Sequence, residues 1–385
     1  MEDNRKLVSI CASNLIWSLG SFVNVVFLFF IPAQFGTNEL QTGIIMSLVS
    51  IAIFMGTVLY PKVINKYSPI AIYKYSVITG AFCFFLASVF YDQFWLVLLF
   101  TLIAYMVFSL TRGLNKKIIS IAISDKSRRK AYNYSFAVAN LGGIFAGIVS
   151  PFVFNISVDN MQYIFLVNCV TMIISYFVLA SGVGEAANVV QAKPSRTACR
   201  KLNVDLRLLF ATSAIYFGFF QISFLIPKTI EHYYSLHIYS LAIVINTLMC
   251  VIASPISVKV FIRFGISEYI TLKAGAILMI VGLLLYNIVA LPVLVIATIC
   301  FAIGELLFIT NLDSYLLKIF KGHEYDQALT AIRLLGQLNR ALGPIITSLC
   351  IMYLSYSAAF GFVIIYMLVG IYVFSLFNKK YLKTT

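Results

Sequence analysis

The stretch Gly304–Pro344 reads GELLFITNLDSYLLKIFKGHEYDQALTAIRLLGQLNRALGP. Glu305 sits inside an apolar run, with Asp313 about two helical turns further on. After a short charged loop, Arg333 and Arg340 sit inside the next apolar run. A charge near the centre of a bilayer costs roughly 2.5–3.5 kcal/mol on insertion scales, so it is retained where it serves a site. Two apolar runs, each carrying ionisable residues, read as two membrane-spanning helices that hold such a site.

Composition agrees with a membrane setting. The chain has 385 residues, of which 61% are hydrophobic and 11% charged, whereas a soluble domain has about 25% charged residues. The formal net charge of +14 would point to nucleic acid in a soluble chain. Here it reads as topology, because lysine and arginine collect in cytoplasmic loops, and no nucleic-acid partner is expected. Seven cysteines are scattered with no metal spacing and no disulfide framework. All but Cys199 fall in apolar runs, as small packing residues do. The charged start MEDNRK leads into an apolar run too long for a signal peptide, so it reads as an uncleaved first span.

A spanning helix needs about 20 mostly apolar residues. Twelve runs qualify: 8–32, 42–60, 70–91, 94–123, 132–156, 161–183, 207–230, 239–262, 270–290, 292–319, 327–353 and 357–377. Backbone polar groups in lipid must be satisfied within each segment, which predicts an all-α integral membrane fold. The basic residues alternate between loops. Arg5 and Lys6, Lys62 and Lys66, the run Lys126 to Lys130, the segment Lys193 to Lys201, Arg263, Lys321, and Lys379 to Lys383 share one side. The opposite loops offer only Lys228. Both termini are therefore expected in the cytoplasm.

One long polar stretch, 184–206, interrupts the series and reads as a cytoplasmic linker. It leaves two six-helix bundles, 1–183 and 207–385. The bundles look like repeats. The register that lays Lys62 on Lys259 also lays the span-5 segment LGGIFAGIVS on LNRALGPIIT of span 11, and Asn24 on Gln221. Two six-helix repeats are an architecture of secondary transporters.

These features resemble the major facilitator superfamily over nearly the whole length. In loop 2–3, Lys62, Asn65, Lys66 and Ser68 stand in an eroded form of that family's Gly-x-x-x-Asp-Arg-x-Gly-Arg motif. The loop 8–9 copy keeps Arg263 and Gly265. Arg112-Gly113-Leu114-Asn115 is similar to the span-4 Arg-x-x-Gln motif, and Asp125 to Arg128 to the acidic-then-Arg turn. Gly142, Gly143, Gly147 and Pro151 resemble the glycine-rich span 5 of exporters. The resemblance leans towards bacterial drug-efflux proton antiporters. It implies a multi-pass protein of the bacterial cytoplasmic membrane and no cofactor; the chain reads as a monomer.

The resemblance also implies that spans 1, 4, 7 and 10 line a central cavity flanked by 2, 5, 8 and 11. Intramembrane charges follow that division: Arg112 and Lys116 on span 4, Glu305 and Asp313 on span 10, Arg333 and Arg340 on span 11. Arg112 and Lys116 share a helix face, as do Arg333 and Arg340. Such basic faces suit a carboxylate or phosphate. Asn24 and Gln221 could bond substrate, or equally bond a neighbouring helix. Lys116 and Arg333 also suit a place at the membrane interface, and Lys116 could instead pair with Asp313. His232, His237 and His323 fall in loops and read as solvated.

Glu305 is the carboxylate nearest mid-membrane; Asp313 lies about 12 Å nearer the cytoplasm. Glu305 is thus the expected proton-coupling group, with Asp313 next and Arg340 as the expected ion partner. A Glu305–Arg340 pair could equally be structural, holding spans 10 and 11 together. No Gly-x-x-x-x-Gly-Lys-Ser/Thr run supplies ATP drive, and neither a catalytic triad nor a metal set stands out. An enzyme would need a cluster of His, Asp or Glu, and a sensor a soluble domain longer than 184–206. The favoured function is proton-coupled export of a small organic compound with an anionic group, with uptake of an anionic nutrient as the alternative.

Overall fold

The computed structural model describes residues 2–28, 31–64, 66–153, 158–183, 204–320 and 323–382. Asn65 and most of the 184–206 segment lie outside the described residues. The described chain is helical, with no strand among the described residues. Its helices are α1 (Glu2–Leu28), α2 (Ile31–Gln34), α3 (Glu39–Ile64), α4 (Pro69–Val89), α5 (Phe94–Ala122), α6 (Asp125–Val153) and α7 (Val158–Val183). There follow α8 (Leu206–Phe219), α9 (Leu225–Tyr233), α10 (Leu236–Phe264), α11 (Glu268–Tyr286), α12 (Leu291–Ile319), α13 (His323–Tyr353) and α14 (Tyr356–Leu382).

Where they are described, the expected apolar runs are mainly helical, though the run 270–290 leaves the helix after Tyr286. Among the described residues, 9 helices are long and apolar enough to cross a membrane. The other three expected runs lie on α6, α10 and α13, and α13 carries Arg333, Gln337, Asn339 and Arg340 within its length. The run expected as one continuous seventh span is broken. α8 ends at Phe219, a 3₁₀ turn covers Phe220–Ser223, and Phe224 leaves helical geometry before α9 begins.

Helix starts follow local chemistry. Ser68 caps α4 by accepting the Ala71 N–H at 3.3 Å, with Pro69 opening the helix. Ser267 caps α11 through the Ile270 N–H at 3.4 Å, and Asp205 caps α8 through the Arg207 N–H at 2.9 Å. Gly265 follows the last residue of α10 with φ +59°, a left-handed position that a glycine adopts without strain.

Two compact units emerge, Met1–Thr37 with Leu48–Ala198, and Asn38–Ser47 with Cys199–Thr385. In the first, α1 packs on α6 and α7, and α4 on α5 and α7. In the second, α8 packs on α13 and α14, and α11 on α12 and α14. These are the same pairings, so the repeat seen in sequence register is also a repeat of packing.

Polar seams run inside the first unit. The Ser13 and Tyr73 hydroxyls each lie 2.9 Å from that of Ser175, joining α1, α4 and α7. Asn115 donates to Asn14 at 2.8 Å, and Asn14 to Ser135 at 2.5 Å, joining α5, α1 and α6. In an apolar surround such bonds fix helix register. In the second unit α11 and α12 meet at glycines. A Cβ on Gly304 would lie 2.6 Å from the Gly275 carbonyl oxygen. This close approach sets the depth and rotation of α12 beside Glu305.

Candidate functional site

Glu305 is half-buried on α12. Its carboxylate accepts from the Asn246 side-chain amide of α10 across 3.4 Å. The expected ion pair with Arg340 is not formed: among the described residues, no cation lies within ion-pair distance of Glu305. The reason is packing. α10 lies against α12 along its length, whereas α13 lies chiefly against α8.

Arg340 instead sets its guanidinium over the Phe220 ring, 5.7 Å from the centroid, where the ring quadrupole attracts a cation. Phe220 stacks with Tyr216 at 5.9 Å, and Tyr216 meets Phe308 edge-on at 5.7 Å. Phe308 is three residues from Glu305 on α12. An aromatic bridge of Phe308, Tyr216 and Phe220 thus runs from the acid's helix to the arginine. α8 and α13 come close because Gly336 faces the Tyr216 ring, and Asn339 donates to the Ser213 hydroxyl and carbonyl at 2.8 Å each.

Gln221 is 1% exposed. Its amide N–H donates to the Phe217 carbonyl in the last turn of α8 at 3.0 Å. Asp313 pairs with Arg333 at 3.4 Å, and both side chains are about half exposed. This exposure places Arg333 among the accessible residues of α13, as an interface position would be.

The second unit also holds a cluster that sequence reasoning missed. Lys228, expected at a loop, is 8% exposed on α9, with Glu39 at 3.1 Å and Glu231 at 2.6 Å. His232, expected in a loop, lies in the last turn of α9 and is exposed, stacked on Tyr356. His237 is exposed on α10. No spacing in the sequence links Glu39 to Lys228, since the contact joins residues far apart in the chain.

In the first unit, Arg112 and Lys116 lie on α5 and Asn24 on α1, with their side chains outside the described residues. Lys62 and Arg263, expected in loops, end α3 and α10 in their last turns, and both are exposed, as is Lys66 in the loop after α3. Gly142 and Gly143 are buried, and a Cβ on either would reach α1: Ser18 at 2.5 Å and the Phe22 ring at 2.9 Å. They permit the close α1–α6 contact. Gly147 is also buried on α6. Among the described residues, no group of three His, Cys, Asp or Glu side chains could hold a metal.

Paired six-helix bundles with matching internal packing, and an acid and an arginine set among apolar helices, define a membrane transport protein rather than an enzyme. The chain matches the Major Facilitator Superfamily model over residues 10–227 and 208–383, and it belongs to that superfamily. Solved structures agree on the fold. A POT family transporter in complex with 5-aminolevulinic acid superposes with a TM-score of 0.83 at 13% identity, covering 98% of this chain and 96% of its own. The human organic anion transporter MFSD10 (TETRAN) superposes at 0.69 with 14% identity, covering 97% and 99%. The nucleoside transporter NupG superposes at 0.76 with 14% identity, covering 96% and 99%. No curated protein matches in sequence.

Proposed function

We propose that this protein is a secondary active transporter that exchanges protons for a small organic compound bearing a carboxylate or phosphate. The observation that carries the reading is Glu305, a carboxylate inside an apolar helix whose partner is a neutral amide. A cation would hold that group ionised. An amide can donate to the carboxylate through N–H or accept from the protonated acid through its carbonyl, so both protonation states have a partner. Two charge states at one half-buried position can bias two conformations, which coupling requires.

Arg340 is the proposed anion-recognising group, presented by the Phe220 ring; Arg112 and Lys116 on α5 remain candidates for the same chemistry. Asp313 is the second proton candidate, although its pairing with exposed Arg333 suits it less. Fold neighbours named for peptide and organic anion transport support such cargo. The proposed direction is export, supported by the glycine-rich α6. The proposed setting is a bacterial cytoplasmic membrane with both termini inside, supported by the basic loops.

Proteoliposomes with an imposed pH gradient and a panel of labelled organic anions test this. Wild type should concentrate at least one anion against its gradient. Glu305→Gln should lose that uphill transport while keeping energy-independent exchange. Uphill transport at the normal rate in Glu305→Gln would remove Glu305 from the mechanism.

A further inference from the structure

The break between α8 and α9 coincides with the most buried polar side chain of the site. The amide N–H of Gln221 is taken by the Phe217 carbonyl at 3.0 Å. Because that neighbour can only accept, the amide orientation is set and Oε1 points away. Oε1 is buried and has no hydrogen-bond partner among the described residues, and the same holds for Gln337 Oε1 on α13. Gln337 is three residues before Arg340, on one helix face. A Cβ on Gly343, three residues after Arg340, would lie 3.3 Å from the Gln221 amide nitrogen. The turn Phe220–Ser223 and the Gln337–Gly343 face therefore adjoin, with Arg340 over Phe220 between them.

Unpartnered buried acceptors destabilise a fold and call for an explanation. Discontinuous membrane helices at mid-span mark substrate sites. We infer that Gln221 and Gln337 are acceptors for hydrogen-bond donors on the substrate. The cargo class is thereby narrowed to organic acids that also carry a hydroxyl or ammonium group: the acid meets Arg340, and the donor meets an amide oxygen. The inference rests on the proposed role of Arg340. In this conformation Gln221 is 1% exposed, so ligand reaches it when α8 and α13 part at the turn.

Three matched probes test this with the purified full chain: labelled butyrate, 4-hydroxybutyrate and 4-aminobutyrate in equilibrium binding. The two donor-bearing acids should bind roughly tenfold or more tightly than butyrate. Gln221→Leu and Gln337→Leu should together erase that preference; Arg340→Ala should weaken all three acids. If Gln221→Leu does not fold, Gln337→Leu alone should shrink the preference. Equal affinity for the three acids, no binding of any, or a preference that survives the glutamine substitutions would each overturn the inference. The pH-gradient assay separates this from the proposed function. A wild-type protein driven by the gradient without donor preference refutes only the substrate class, and a donor preference without gradient-driven transport refutes only the coupling.

Discussion

Asn246 donates its side-chain amide to Glu305, so the carboxylate of α12 is tied to α10 by a neutral group at 3.4 Å. The contact separates the acid from the arginine that sequence position offers as its partner. Arg340 meets the Phe220 ring and, in the proposed mechanism, the cargo.

The tie predicts a coupled pair. Asn246→Leu should lower proton-driven transport by roughly fivefold or more, since a donor to a buried charge is lost. It should also alter the pH profile of transport. In a Glu305→Gln background the same substitution should leave the profile unchanged. A double-mutant cycle of transport rates measured across pH checks this. Additive effects would mean that the two residues act separately.

Lys228 bridges Glu39 and Glu231 while almost fully covered. Lys228→Met leaves two carboxylates facing each other without their cation. Loss of one partner from a fully buried pair costs about 3–5 kcal/mol. Both acids are partly solvated here, so the expected loss is about 2 kcal/mol. The apparent melting temperature in detergent should fall by several degrees, and adding Glu231→Gln should recover part of it. An unchanged melting temperature would show that the bridge contributes nothing to stability.

At the α11–α12 contact, Gly304→Ala places a methyl group 2.6 Å from the Gly275 carbonyl oxygen. Overpacking of this kind costs about 1–3 kcal/mol. It also shifts the helix that carries Glu305, so both folded yield and transport should drop. Gly361→Ala is the control, because a Cβ there meets nothing within 4 Å. Size-exclusion profiles and transport rates of the two variants should differ clearly.

The topology is testable by fusion. A reporter active in the cytoplasm should report after Arg129 and after Lys201, and stay silent after Asp159. Equal activity at the three points would refute the proposed orientation.

The membrane class, the helical runs and the internal repeat were legible in residue order. They depend on hydropathy, charge spacing and register, which are local or periodic. The ionisable residues inside apolar runs were legible too, because each is conspicuous against its neighbours. Partner choice was not. Glu305 meets Asn246 and not Arg340 because helix rotation, set by the Gly275–Gly304 contact, decides which face meets which helix. The Lys228 cluster was hidden, because Glu39 and Lys228 are far apart in the chain. The turn at Phe220–Ser223 did have a mark in Pro227, which has no N–H for the Ser223 carbonyl and whose ring crowds it, but residue order alone does not say whether such a proline breaks a helix or only bends it. Depth in the membrane follows from composition; the azimuth of a side chain follows from packing between helices, and only folding brings those faces together.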